Sequence, residues 1–462
     1  MRLLPSLRNM LQPINRLPPE VISRIARHRT GIDTCWVVPL THVCRYWRGS
    51  IVSTPENWTS ISSYRKGLAA LSLERSKAAP LQLFLNIVTL RRDPELRDLI
   101  IPHIQNTETL QAGNLPTIED FTQILSNFPQ SMPNLRSLTL ERSHDNSRWN
   151  SSTDPFGSFP HTLRSLWLFD IPLYPSFVQL RTLTKLTLRY FKIRASLDAI
   201  LDLLEENRSL ESVELEINSS ESPIRVSERR AAIMSRLQHL SIGGREAMAV
   251  RTLLSGIALQ RGAHLRINLQ AENGLNDILS GISTTHLSNL PSPTFMEYHS
   301  ARPRTIRLVG PNGSFSYHGG WPPAVPFAEF PMLPLTNIQQ LHLVHSDPSI
   351  VPHPPFFPTL ETLSIGCNTD ISHLFSALFP SPSSFTSLKT IGFLDCVLTG
   401  EFMEELMRFA SDRKDTTSAW LYRVVIVHPY GRFPTADSIY KLRNHVPVVD
   451  VQFGGRLPKD LI

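Results

Sequence analysis

LRSLTL, residues 135–140, carries leucine at its first, fourth and sixth positions. On a strand, side chains alternate between faces, so Leu138 and Leu140 point one way and Thr139 the other. An apolar pair with a polar residue between them describes a strand buried on one side only. The pattern returns as LRSLWL (163–168), LTKLTL (183–188), LESVEL (210–215), LQHLSI (237–242), IQQLHL (338–343), LETLSI (360–365) and LKTIGF (388–393). One such strand cannot cover its own apolar edge, whereas a stack of them can.

Successive starts lie 28, 20, 27 and 27 residues apart in the first group and 22 and 28 in the second. These spacings match the period of a leucine-rich repeat, one strand and one return segment per unit. Return helices are expected at 117–128, where Ile118, Phe121, Ile124, Leu125 and Phe128 share a face, at 196–207 behind Ser196, and at 370–379 behind Asp370. Asn218, Asn368 and Cys396 fall three residues past a motif's last apolar position, where a polar side chain can bond turning backbone. Ser143 and Ser346 stand in elsewhere, and Cys396 is read as structural.

APLQLFLNI (79–87) is expected to start the sheet, and strands at 421–430 and 447–455 to close it. Regularity lapses between about 245 and 335. HLRINLQ (264–270) reads there as a strand out of register. RTIRLVGPNGSFSYHGG reads as a hairpin about Pro-Asn-Gly, and GGWPPAVPF as a loop. Residues 291–358 hold 14 prolines in 68 positions. The whole chain has 37 in 462, about 8% against a typical share of roughly 5%, so its elements should be short.

The amino end has a different pattern. In VPLTHVCRYWRGSIV (38–52), Leu40, Val43, Cys44, Trp47 and Ile51 make one apolar stripe if the stretch is a single helix. Before it, Pro18, Pro19 and Glu20 suit the first turn of a short helix bearing Val21, Ile22 and Ile25. After it, Thr54, Pro55 and Glu56 suit the start of a third helix that carries Trp58 and Ile61. Three such helices bury little by themselves, so their stripe wants a partner.

INRLPPEVISRIARHR followed by VVPLTHVCRYWRGSIVSTPENWTSI resembles the F-box of fungal, mushroom-type F-box proteins. LPPE, PLTHVCRYWR and STPxxW carry the resemblance in that order, over residues 13–62. It implies three helices that dock on the acidic Skp adaptor of a cullin–RING ubiquitin ligase. The adaptor-facing set it implies is Leu17, Pro18, Ile22, Ile25, Val43, Cys44, Trp47 and Trp58. Ala26 departs from the pattern, since such boxes often carry Phe or Leu there.

Charge agrees with a protein partner at this end. Residues 1–80 hold 12 lysines and arginines against 4 acids, a surplus of 8, and the remainder holds 34 against 36. The arginines are scattered without aromatic platforms, which argues against nucleic acid. Four scattered cysteines make no disulfide framework or zinc spacing, and no run of eighteen apolar residues occurs. The start lacks the apolar core of a signal peptide, so a cytoplasmic or nuclear setting is expected. The sequons at Asn57, Asn150, Asn207, Asn218 and Asn312 are then chance matches.

No phosphate loop, dinucleotide loop, nucleophile elbow or zinc-protease motif occurs. His342 and His345 are spaced to straddle a strand and its exit, so a metal is not expected, nor any cofactor. The expected architecture is α/β: an F-box at 13–62, then a leucine-rich-repeat-like solenoid at 79–455 with an irregular insertion at about 245–335. The expected function is that of a non-enzymatic substrate receptor in a Skp–cullin–F-box ligase, binding an unknown protein target. Target contacts fall on the outward motif positions, chiefly Trp167, Thr187, Glu214 and His342, with Thr139, Ser241, Ser364 and Gly392 beside them. The alternative is a non-ligase scaffold whose helices only cap the array.

Overall fold

The structure is a computed structural model that describes residues 12–30, 35, 37–116, 132–143, 160–191, 197–217, 231–245, 247–260, 262–269, 278, 293–299, 304–311, 313–319, 335–344, 354–366, 371–381, 384–416, 420–427 and 434–452. It is mixed α/β with mostly parallel strands, and it divides into two units, Met1–Asn218 and Ser219–Ile462.

In the first unit, helix α1 (Pro19–Thr30) begins as the prolines demand, with the Pro18 carbonyl accepting from the Val21 and Ile22 amides. The stripe at 38–52 is not one helix. It splits into α2 (Val37–Thr41) and α3 (Arg45–Val52), because Cys44 is extended (φ −158, ψ 174) and caps α3. Local bonds explain the break: the Thr41 hydroxyl donates to the Val38 carbonyl at 2.7 Å, and Arg48 Nε donates to the Thr41 carbonyl at 2.9 Å. The third expected helix is a single 3-10 turn, Pro55–Trp58. Thr54 does not cap it with its side chain; its hydroxyl donates backwards to the Ser50 carbonyl at 2.7 Å.

From there the chain runs straight into a strand, β1 (Ser60–Ser62), parallel to β2 (Leu81–Asn86). The sheet therefore starts inside the segment read as F-box and not at residue 79. Three residues, SIS, are too few to show alternation in a sequence. Helix α4 (Lys66–Ser76) returns the chain, followed by α5 (Ile87–Arg92), α6 (Pro94–Ile100) and strand β3 (Thr107–Leu115). Asn86 and Asp93 cap α5 and α6 by accepting from the Thr89 and Leu96 amides.

Strands β4 (Ser137–Arg142), β5 (Ser165–Phe169), β6 (Lys185–Phe191) and β7 (Ser212–Ile217) continue the parallel sheet in chain order. Pairing aligns the motifs. Ile61, Leu83, Leu110, Leu138, Leu166, Leu186 and Val213 make one buried row, and Leu85, Ala112, Leu140, Leu168, Leu188 and Leu215 the next. Each buried leucine contributes about 1.5–3 kcal/mol, so the rows are the main stabilising feature of this unit. Return segments include α7 (Pro175–Val178) and α8 (Leu197–Glu206), the latter where a helix was expected. The helix expected at 117–128 lies outside the described residues, as do Asn150, Ser196, Asn218, Asn312, Ser346, Asn368 and Asp370.

In the second unit, β8 (Ala232–Ile233) and β10 (Ile257–Ala258) form a small parallel pair. The main sheet comprises β9 (His239–Gly244), β11 (His264–Leu269), β12 (Phe295–His299), β13 (Arg304–Gly310), β14 (Gly313–Gly319), β15 (Gln340–Val344), β16 (Thr362–Gly366), β17 (Thr390–Leu394), β18 (Arg423–Val427) and β19 (Val448–Gln452). Its order is β9-β11-β14-β13-β12-β15-β16-β17-β18-β19, with only β13 antiparallel to its neighbours. The expected hairpin, β13–β14, is present and is built into this sheet. Strand β11, read as out of register, is in register with β9, pairing Leu265 with Leu240 and Ile267 with Ile242. Gly262, at φ 98, stands where the other units have their first leucine, which hides the motif.

Helices α9 (Ala247–Ser255), α10 (Ser372–Leu378), α11 (Gly400–Thr416) and α12 (Ala436–Arg443) complete this unit. Phe375 packs edge-on against Phe402 and Phe409 at 5.2 and 5.6 Å. Arg413 is fully buried and donates to the carbonyls of Ser384, Phe385, Thr386 and Leu388, holding a turn in which Phe385 has φ 53. Cys396 is buried and donates to the carbonyls of Ile365 and Leu394, both at 3.2 Å, which is the backbone-bonding role expected of it.

Two sequons are clamps. Asn57 is buried and donates to Ser23 Oγ and the Ile51 carbonyl; Asn207 is buried, accepts from the Leu183 amide at 3.0 Å and donates to the carbonyls of Leu180 and Leu203. Asn207 thus ties one return segment to the next. Asn207→Ala should cost about 2–4 kcal/mol by leaving these backbone groups unpaired. A fall in the urea midpoint checks it, and an unchanged midpoint would show the clamp to be idle.

Candidate functional site

The helical head has a core and a surface, and the stripe residues divide between them. Ile22, Ala26, Val37, Trp47, Ile51 and Trp58 are buried together, with Leu17, Ile25, Leu40, Cys44 and Val52 packed against them and Leu68 and Leu71 joining from α4. This corrects the expectation that the stripe is left for a partner. Ile22, Trp47 and Trp58 are interior, because breaking the helix at Cys44 folds the stripe onto α1. Ala26 is fully buried as well, so its small size belongs to this core.

Trp58 joins the head to the sheet. Its indole N–H donates to the Ile51 carbonyl at 3.0 Å, and the Arg75 guanidinium of α4 stands 4.4 Å from the ring centroid. The Trp47 indole N–H is buried without an acceptor among the described residues.

Pro18 and Val43 lie on the surface, and Leu17, Ile25 and Cys44 are half-buried. Val43 is 51% exposed, and Ile14, Val21 and Tyr46 are exposed with it. Tyr46 Oη donates to the Leu17 carbonyl at 2.7 Å, and Cys44 Sγ lies 3.6 Å from Asn15 Oδ1, which holds 44–46 beside 15–17. The result is an apolar strip across the start of α1 and α3. Arg16, Arg24, Arg27, Arg45 and Arg48 are exposed on the same elements, with Glu20. Sequence reading missed Ile14 and Tyr46 because they lie off the apolar edges of the helices, and it set Val21 on the edge of the first helix without placing it among the contacts; their signal is apolarity in a segment whose core is already complete.

On the sheet of the first unit, register places Thr139, Trp167, Thr187 and Glu214 side by side on β4 to β7, in a row that Gln111, Phe84 and Ser62 extend towards β1. All are half-buried. Arg189 ties two of them together. Its guanidinium stands 5.9 Å from the Trp167 ring centroid and its Nη2 lies 2.7 Å from Glu214 Oε1. Phe169 and Tyr190 pack edge-on at 5.1 Å beside this group, and Tyr190 has φ 52. Phe169 and Arg189 sit two residues past the central row and face the same way, a position that alternation alone reveals. The Trp167 indole N–H is buried with no acceptor among the described residues.

In the second unit, His342 pairs with Glu297 of β12, Nδ1 lying 3.8 Å from Oε1. Its expected neighbours on the row are closed to contact: Ser364 is 1% exposed and Gly392 is buried, with Ser364 Oγ 3.0 Å from where a Cβ would stand. The row turns apolar there, at Val425, and Leu394 and Val427 pack with it. Burial pushes the Tyr317 phenol up to about 12, so it stays protonated at neutral pH. Among the described residues no three of His, Cys, Asp and Glu gather to hold a metal ion, and no helix is long and apolar enough to cross a membrane.

No protein-family model matches the chain, and no curated protein matches it.

Core and strip are separable by substitution. Trp47→Ala should destabilise the first unit by about 3–5 kcal/mol, whereas Val43→Asp should change stability by no more than about 0.5 kcal/mol. Chemical denaturation of both variants checks this, and equal losses would place Val43 in the core.

Proposed function

We propose that the chain is a substrate receptor of a Skp–cullin–F-box type ubiquitin ligase. Its helical head holds the adaptor and a leucine-rich-repeat array holds a protein target. The observation that carries the reading is the exposed strip of Val43, Tyr46, Val21 and Ile14 beside Leu17 and Pro18, set among arginines on a head whose core is already filled. Exposed apolar side chains gathered in this way mark interaction sites, and a basic rim suits the acidic adaptor that the F-box resemblance implies. Val43, Leu17, Pro18, Ile25 and Cys44 are then the contact residues, and Ile22, Trp47 and Trp58 hold them in shape.

The row on β4 to β7 suits the target side. Trp167 offers a large face at low entropic cost, and the Arg189–Glu214 pair beside it adds directional bonds. The chain does no chemistry in this reading. It raises the local concentration of a target near a ubiquitin-charged enzyme carried by other subunits, and the direct join of head to sheet fixes the distance.

A second reading, a scaffold whose helices only cap the array, is favoured by the burial of Trp47 and Trp58 and by the pairing of β1 with β2. Co-purification of a Skp adaptor separates the two. Wild type should recover adaptor, and Val21→Asp/Val43→Asp, both on exposed side chains, should recover at least about tenfold less while melting at the same temperature. Equal recovery by both chains, or none by wild type, would leave the scaffold reading.

A further inference from the structure

Above the line of side chains that holds Trp167, strands β4 to β7 carry a second one. Cross-strand pairing sets Glu141, Phe169, Arg189 and Glu216 side by side, each two residues past Thr139, Trp167, Thr187 and Glu214 in turn. All four are half-buried. The two ends of this line are acids, and among the described residues neither Glu141 nor Glu216 meets a cation. Arg189 is committed to Glu214 Oε1, through Nε at 3.0 Å and Nη2 at 2.7 Å, and buried Arg142 reaches Asp170 at 3.3 Å. The one further cation on the outward positions of these strands, Lys185, lies four residues before Arg189, about 13 Å down β6. The middle of the line is aromatic. Phe169 meets Tyr190 edge-on at 5.1 Å, and Tyr190 (φ 52) is the residue that a bulge between Arg189 and Phe191 leaves without a partner on β7.

We propose that this face binds an extended, unphosphorylated protein segment with basic residues four apart about a central apolar one. Glu141 and Glu216 stand three strand spacings apart, about 14 Å. In an extended chain, residues i and i+4 are also about 14 Å apart and project to one side, with i+2 midway between them. A segment lying across the strands therefore sets a lysine or arginine against each glutamate. Its i+2 side chain falls beside Phe169 and Tyr190, which offer an apolar floor. A helical segment does not fit, since its i and i+4 positions are only about 6 Å apart.

Charge selects the occupant. With Arg189 neutralised by Glu214, the upper line keeps two unmatched carboxylates and no unmatched cation, so it repels nucleic acid, anionic lipid and phosphorylated segments and attracts a basic one. Half-burial of both glutamates screens such a pair less than open surface does, while leaving it sensitive to salt. The inference deepens the target-binding half of the proposed function and rests on that half alone. Adaptor recovery and segment selection are separate measurements, and either can fail while the other holds.

The test uses the full chain without adaptor and three degenerate peptide pools whose variable positions are uncharged. The first is Lys-x-Leu-x-Lys, the second has glutamine in place of both lysines, and the third has its lysines three apart. Wild type should retain the first pool at least about tenfold better than the second and about threefold better than the third, with both preferences shrinking as salt rises. Glu141→Gln/Glu216→Gln should abolish the preference without lowering the melting temperature, because among the described residues neither carboxylate has a cation to lose. Equal retention of the first two pools, equal retention of the two lysine spacings, an undiminished preference in the double variant, or stronger retention of a phosphoserine-bearing form of the first pool would each overturn the proposal.

Discussion

Everything in the first unit is positioned by two rows of aliphatic side chains, one running across seven parallel strands and the other across six of them. Burial of these rows requires each strand to stand beside its neighbour in one register, and that register decides which residues face outwards together. Slipping one strand by a residue would turn its leucines out and its polar residues in. Trp167, Thr187 and Glu214 therefore meet because Leu166, Leu186 and Val213 do, and the head is attached because Ile61 extends the same row.

The same constraint absorbs the parts of the chain that look irregular. Strand β11 follows β9 without a first-position leucine, and the antiparallel β13 enters the second unit's sheet with both neighbours satisfied. A three-stranded meander laid between β11 and β15 interrupts the repeat in sequence but not the hydrogen bonding in space. That placement is what gathers Arg266, Ser316 and Arg307.

Most strands were legible because leucine at positions four and six is a strong period-two signal, and α8 because its apolar residues recur at helical spacing. The splitting of 38–52 was not, since the stripe survives on paper while Thr41 bonds the Val38 carbonyl and Cys44 takes an extended backbone conformation. For the same reason periodicity finds the apolar residues of the head but does not say which of them the head itself covers. Trp47 and Trp58 went inside, and Tyr46, off the stripe, stayed out. Phe169 and Arg189 lay one alternation beyond the motif, and the meeting of Arg266 with Ser316 depends on the pairing of β14 with β11, which no local pattern encodes.

The shared rows can be probed at their middle. Leu166→Ala removes side-chain volume from the centre of one row, at a cost of about 3 kcal/mol. Deuterium uptake of the full chain, followed peptide by peptide, then reads how far the loss travels. Coupled stacking predicts faster exchange in both flanking strands, 137–142 and 185–191, as well as in 165–169. Faster exchange confined to 165–169 would show that the strands are stabilised one at a time, and the shared register would lose its place as the organising constraint.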